Sequence, residues 1–303
     1  MSTSQLRFRR KIGDALYGEV SECELVPSAS HQLNLPLLPL GKRRLVAVKW
    51  MSMSSANNLK NQYAANRVLD DPRQECAVAD LLAKNGGHRN VVGSYFHFQK
   101  HQCLYLVNEF CADGDLYTHL SATTRNGLVD ERRSIGIMKQ ILAGVDYLHR
   151  ELGIAHRDLS LDNVLVHNGE CKISDFGLSV DASARCVERV GKEYYMAPEI
   201  VAGGVYDPVK ADIWSLGITW FILLTGSPLI TVASKTESSF RAFQRFGVAA
   251  VFKSWGYEAK VSKSAIELIS RMLVIDPSTR ISLSEILAHP LFSEARSHDI
   301  DKL

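Results

Sequence analysis

The sequence is short of the features that announce most special classes of protein. Its six cysteines (Cys23, Cys76, Cys103, Cys111, Cys171, Cys186) form no CxxC pair and no His-spaced zinc pattern. That gives no zinc site and makes free thiols in a reducing, cytoplasmic compartment the expectation over a disulfide framework. Charge of one sign is also missing: 35 Lys+Arg stand against 33 Asp+Glu, a net of +2. So balanced a chain gives no argument for nucleic acid as a partner. No apolar leader follows Met1, and Ser2 stands where N-myristoylation requires glycine, so neither a secretory address nor a lipid anchor is expected. Long apolar runs are nearly absent. One uncharged stretch, 213–234, approaches a membrane span, but Gly217, Gly226 and Pro228 interrupt it and Asp212 borders it without a basic flank. A buried core helix ending near Gly226 is the expectation there. Internal repeats and low-complexity segments are lacking too.

What is present fits an ordinary globular chain. It has 303 residues, 46% hydrophobic and 22% charged, enough for one large domain or two small ones with a self-sufficient core. The first 110 residues read mainly as strands with one helix: runs at 9–13, 19–25, 45–50 and 103–110 are of the strand type. Between them, 26–44 carries Pro27, Pro36 and Pro39 and then Lys42-Arg43-Arg44, the pattern of a long exposed loop. Pro36-Leu37-Leu38-Pro39 is also short enough to dock a proline-binding module, and the basic triplet to be an address signal. Asp71-Pro72 with Gln74 opens a helix as a capping-box variant, and Asn85-Gly86-Gly87 closes it. From 130 to 150 the spacing of Ile135, Met138, Ile141, Leu142, Val145 and Leu148 is helical. Ser282 with Glu285 caps a last short helix that stops before Pro290. Strands first and helices after suggest two lobes, an α+β arrangement.

Two constellations carry chemistry. The turn His167-Asn168-Gly169-Glu170 joins two short apolar runs, a strong hairpin signal. A hairpin brings its outer ends together, which puts Asn163 beside Asp175 with Asp158 near. One carboxylate and one amide oxygen suit a hard cation such as Mg²⁺ that also keeps water and phosphate ligands. Upstream, the helix after Pro72 places Glu75, Val78, Ala79 and Leu82 on one face. Glu75 then looks inward, where an unpaired carboxylate is costly, and Lys49 at the end of Val46-Ala47-Val48 is its obvious partner. A solvated Glu75 at the edge of the stripe is the alternative.

His156-Arg157-Asp158…Asn163, Asp175-Phe176-Gly177, Ala197-Pro198-Glu199 and Val46-Ala47-Val48-Lys49 resemble, in order, the signature set of the eukaryotic protein kinases, most like the Ser/Thr kinases. The resemblance runs from about residue 8 to 292. It implies a bilobal fold, a small antiparallel-sheet N-lobe with one helix (8–110) and a larger, mainly helical C-lobe (111–293), followed by a short tail (294–303). It implies transfer of the γ-phosphoryl of ATP, with Mg²⁺, to hydroxyls of a protein substrate. By that resemblance Asp158 is the base that accepts the hydroxyl proton, Asn163 and Asp175 hold Mg²⁺, and Lys49, paired with Glu75, holds the α/β-phosphates. Ile12, Gly13, Ala15 and Gly18 belong to the phosphate loop; Val20, Ala47 and Leu165 enclose adenine. Glu109 and Cys111 are hinge positions, Asn108 the gatekeeper and Asp115 the ribose contact. Arg280 partners Glu199, and Asp212 anchors the catalytic loop. No nucleic acid or membrane partner is implied, and a monomer is expected.

The sequence departs from that pattern in three places. Ala15 replaces the middle glycine of the phosphate loop. Ser160 stands where Ser/Thr kinases usually carry Lys, and Lys192 where they usually carry Thr. Those two side chains touch in the family, so an exchange, with Lys192 delivering the ammonium, is expected; real loss at both positions is the alternative, and with it a pseudokinase that binds partners without phosphotransfer. Arg157 resembles the residue that receives a regulatory phosphate, and counting back three from Gly191 reaches Glu188, a carboxylate already charged. Ser179 or Ser183 is the other candidate for that regulation. Asp115 and Asp162 match acidic positions that would favour a basic residue before the target hydroxyl.

Overall fold

The computed structural model describes residues 5–26, 43–62, 70–124 and 128–293. The proline-containing part of the 26–44 segment, Lys42 and the tail 294–303 lie outside them. The N-terminal part is one antiparallel sheet in the order β1-β2-β3-β5-β4. Its strands are β1 (Leu6–Ala15), β2 (Gly18–Leu25), β3 (Arg44–Ser52), β4 (Ser94–Lys100) and β5 (Cys103–Glu109), with α1 (Met53–Gln62) and α2 (Pro72–Lys84) set between β3 and β4. The sequence reading gives one helix here; α1 escapes it because Met53–Gln62 carries few apolar residues, although Ser52 caps it by accepting from the Ser55 amide at 3.2 Å. Asp71 does cap α2, but its carboxylate accepts from the Arg73 amide at 2.9 Å, a single cap with no return bond from Gln74.

The remainder is helical. It contains α3 (Leu116–Thr123), α4 (Glu131–Asp146), the two-residue strands β6 (Ile154–Ala155) and β9 (Val180–Asp181), and the hairpin β7 (Val164–His167) and β8 (Glu170–Ile173). Then come α5 (Pro198–Ala202), α6 (Pro208–Thr225), α7 (Ser238–Ser254), α8 (Lys263–Met272), α9 (Leu283–Leu287) and α10 (Pro290–Ser293). The uncharged stretch became α6. Trp214, Leu216, Ile218, Trp220 and Phe221 are fully buried on different faces of it, and Gly226, left-handed at φ 70°, closes it. No helix among the described residues is long and apolar enough to cross a membrane. Ser282 and Glu285 form the expected capping box on α9, yet Pro290 opens a further turn, α10, rather than following the last one.

Two details position the site. The β7–β8 turn has Asn168 at φ 51° and Gly169 at φ 80°, both left-handed, which matches the twist of a two-residue hairpin. Its outer pair is Val164 opposite Ile173, and the Ser174 amide bonds the Asn163 carbonyl at 2.9 Å. Asn163 and Asp175 therefore emerge side by side.

Candidate active site

A cleft of about 600 Å³ lies between the sheet and the helical part. Ile12, Gly13, Ala15 and Val20 line it from β1 and β2, Ala47 and Lys49 from β3, and Glu75 from α2. Asn108, Glu109, Cys111 and Asp115 line the connection between the two parts, and Asn163, Leu165 and Asp175 the opposite wall. Gly18 is held outside: a Cβ there would meet the Trp50 carbonyl oxygen at 2.0 Å, so the close approach of β3 requires the glycine. Gly13 has no protein atom within 4 Å of where its Cβ would lie. The chain itself does not demand glycine there; a phosphate brought against the backbone would.

Lys49 ties the two walls together. Its Nζ lies 2.8 Å from Glu75 and 3.0 Å from Asp175. Burial works against its charge, but the two carboxylates outweigh it and raise the pKa above the ordinary lysine value. Glu75 is pushed upward by its complete burial, partly offset by Lys49. Asp175 is also penalised by burial, yet Lys49 and His156 hold it below the ordinary carboxylate value. Asp175 itself sits at φ 66°, a left-handed backbone that costs a non-glycine residue of order 1–3 kcal/mol.

The catalytic-loop residues hang from Asp212. This buried carboxylate accepts from the amides of His156 and Arg157, each at 2.8 Å, and faces His149 Nε2 at 2.8 Å. The first effect on it is desolvation, but these bonds overcome it and lower its pKa. Arg157 is thereby held at φ 66°. Asn163 Nδ2 donates to the Asp158 carbonyl at 2.8 Å and to its carboxylate at 2.7 Å. With the amide nitrogen so fixed, Oδ1 is the atom of Asn163 left for a cation, beside the Asp175 carboxylate. An oxygen donor pair of this kind fits Mg²⁺. Burial pushes Asp158 above the ordinary carboxylate value, against the pull of Lys192 and His156.

The segment after Asp175 supplies the rest. Lys192 Nζ donates to Ser160 Oγ at 2.9 Å and to Asp162 at 2.8 Å, while its backbone amide donates to Asp158 at 3.0 Å. The two departing positions thus share one contact. Arg157 donates to Glu188 at 3.0 Å and to the Tyr206 hydroxyl at 3.2 Å. Desolvation disfavours the Glu188 charge, but backbone bonds and Arg157 prevail and lower its pKa. Ser179 is buried with its hydroxyl on the Phe176 carbonyl at 2.7 Å, so it presents no accessible group for modification in this conformation. Ser183 is exposed and bonds Asp181. Asp162 accepts from Lys192 through one carboxylate oxygen, and Asp115 caps α3 by accepting from the Thr118 amide at 2.8 Å through one of its own.

Glu199 meets Arg280 through two bonds, 2.7 and 2.9 Å. Glu109 pairs with Lys172 at 3.2 Å and its amide bonds the Gly93 carbonyl at 2.7 Å. Asp70, also on the cleft wall, was not singled out from sequence. It reads there as a neighbour of the Asp71 cap, and nothing in the pattern turns it inward. Its pKa rises to about 6 through burial and the nearby Asp175.

Sequence comparison brings relatives to this geometry. The family model for the protein kinase domain matches residues 38–292. The Saccharomyces cerevisiae protein named "Probable serine/threonine-protein kinase KCC4" is 34% identical over 82% of this chain and 23% of its own length. Calcium-dependent protein kinase 24 of Arabidopsis thaliana is 35% identical over 75% of this chain and 38% of its length. For serine/threonine-protein kinase cds1 of Schizosaccharomyces pombe the identity is 35%, over 73% and 48%. The chain spans less than half the length of these relatives.

Proposed function

The chain belongs to the protein kinase family, and on that premise we propose that it transfers the γ-phosphoryl of Mg·ATP to serine or threonine hydroxyls of protein substrates. The observation that supports this reading is that Lys49, Glu75, Asp175 and Asn163 line one cleft, with Lys49 bridging the two carboxylates and Asn163 donating to Asp158 at its edge. Lys49, kept charged by two carboxylates, neutralises phosphate oxygens. Asp158, raised in pKa and held by Asn163 and the Lys192 amide, accepts the proton of the attacking hydroxyl. Mg²⁺, held by Asn163 and Asp175, would offset the charge on the β- and γ-phosphates. Val20, Ala47 and Leu165 enclose adenine, Glu109 and Cys111 meet its edge through their backbone, and Asp115 reaches the ribose.

Lys192 stands in for the lysine missing at Ser160. The contact Lys192 Nζ–Ser160 Oγ supports an exchange: the ammonium reaches the same place from the other segment. Arg157 and Glu188 hold that segment in order without a phosphate. A cytoplasmic location is part of the proposal, and the six free thiols support it.

Radiolabelled ATP with a peptide library, run beside Asp158→Asn, tests the assignment. Label on serine and threonine in the wild type, lost in the variant, is the expected result. Nucleotide binding without transfer in either protein would favour the scaffold reading instead.

A further inference from the structure

At the tip of the phosphate loop one of the two side chains is buried, which is unusual for a hairpin turn. Leu16 and Tyr17 form the turn between β1 and β2. Leu16 is 51% exposed, whereas Tyr17 is only 6% exposed and packs with Met51, Ala79 and Leu106 beneath the sheet. Its backbone carbonyl accepts from the Ser52 amide at 2.9 Å. Its hydroxyl donates to the Asp70 carbonyl at 2.8 Å. The next residue, Asp71, caps α2, the helix that bears Glu75, and its amide donates to the Gly177 carbonyl at 2.9 Å. Residues 70 and 71 are thus the point where the phosphate loop, α2 and the Asp175-Phe176-Gly177 turn are joined.

We propose that Tyr17 is a positioning residue for nucleotide phosphates: its ring anchors the loop tip and its hydroxyl fastens the loop to the start of α2. This rests on the kinase reading above and extends it to a residue outside the expected site set. The loop is ordered by the protein before nucleotide arrives, so less freedom is lost on binding. It also gives Ala15 a context, because a tip held from below depends less on a flexible glycine two residues earlier. The phenol stays protonated, its pKa raised to about 12 by burial beside Asp70 and Asp71, so it remains a donor throughout the physiological range.

The test separates positioning from mere support. Tyr17→Phe keeps the ring in its cavity and removes only the bond. Titration calorimetry on the full chain with a non-hydrolysable ATP analogue and Mg²⁺ should show affinity about 3- to 10-fold weaker, the range for one hydrogen bond. Adenosine, which has no phosphates, should bind as it does to the wild type. The KM for ATP should rise by the same factor with kcat and the peptide KM unchanged. Tyr17→Leu, which fills part of the cavity without a donor, should behave as Tyr17→Phe or worse. Unchanged ATP affinity in Tyr17→Phe, or equal losses for ATP and adenosine, would overturn the assignment. Affinity is read without turnover, so a failure of phosphotransfer and a failure of this assignment give different results.

Discussion

On the helical side of the cleft, the catalytic loop hangs from Asp212, a carboxylate without solvent exposure that accepts from two backbone amides and faces an imidazole. On the sheet side the corresponding join is one ammonium, Lys49, shared between Glu75 and Asp175. The cores behind them differ in the same sense. Behind Asp212 lies a continuous apolar cluster running from α2 to α9. The sheet has two small ones, around Val46 and Val107 and around Met51 and Leu106. Buried apolar area is what fixes side chains against thermal motion, so on the proposed reaction the half that bears the base is the fixed one, and the half that holds nucleotide, its loop tip anchored at Tyr17 apart, is the more adjustable. A phosphoryl donor must enter and leave, whereas the base has only to stay in place.

The sharpest way to isolate the fixed half is Asp158→Asn. Loss of a positioned base lowers turnover by about 10²–10⁴, while Mg·ATP binding survives because the carboxamide can still meet Asn163. Steady-state kinetics with parallel nucleotide titration measure both. Turnover close to wild type would remove Asp158 from the mechanism.

The asymmetry between the walls is broken or sharpened by comparing Asp212→Ala with Glu75→Gln. Removing a buried, fully bonded charge leaves two amides unsatisfied and should cost about 3–5 kcal/mol of stability, read by denaturant unfolding. Glu75→Gln keeps a hydrogen-bonding partner for Lys49 and should cost less than about 2 kcal/mol, yet reduce kcat/KM strongly. If Glu75→Gln unfolds the protein and Asp212→Ala does not, the assignment of fixed and adjustable walls is reversed.

Lys192 crosses from one description to the other, since it brings an ammonium from the activation segment to the catalytic loop. Lys192→Thr should lose about 10²–10³ in turnover, the usual cost of a lost charge-stabilising donor. Ser160→Lys combined with it should restore much of the loss, with a coupling energy of about 0.5–3 kcal/mol in the double-mutant cycle. Strict additivity would show that the 2.9 Å contact carries no function.

Sequence reasoning reached the fixed wall more completely than the adjustable one, and the reason is physical. Asn163, Asp175 and their neighbours lie on one hairpin whose turn chemistry, Asn168-Gly169, dictates the juxtaposition. The Lys49–Glu75 pair could be read because a helical stripe put a carboxylate among apolar residues. By contrast, Tyr17 and Asp70 are far apart in the chain and meet through packing that no periodicity announces. The same holds for α1, whose polar composition is that of a loop. Ser179 shows the reverse limit: its hydroxyl looks available in the sequence, and only the fold buries it.

The smallest effect concerns the order of the activation segment, and pH separates its two explanations. Arg157 is buried and Glu188 half-buried, 3.0 Å apart, with Tyr206 bonded to both. Glu188→Gln should therefore lower stability by only about 1 kcal/mol while lowering activity several-fold, because the guanidinium keeps Tyr206 but loses its charged partner. The folded-state pKa of Glu188 lies below its ordinary 4.5. A depressed carboxylate contributes stability above its unfolded pKa and loses it as pH falls through the folded value. The difference in melting temperature between wild type and Glu188→Gln should thus stay constant from neutral pH down to about 5 and shrink only below about 4.5. A phosphate on Ser183 would behave otherwise, since its second ionisation near 6 would weaken the clamp across pH 7 to 5. Phosphatase treatment gives the matching control, and activity should survive it. A melting difference between wild type and Ser183→Ala that falls between pH 7 and 5, together with activity abolished by phosphatase, would assign the ordering of this segment to phosphorylation rather than to the Arg157–Glu188 pair.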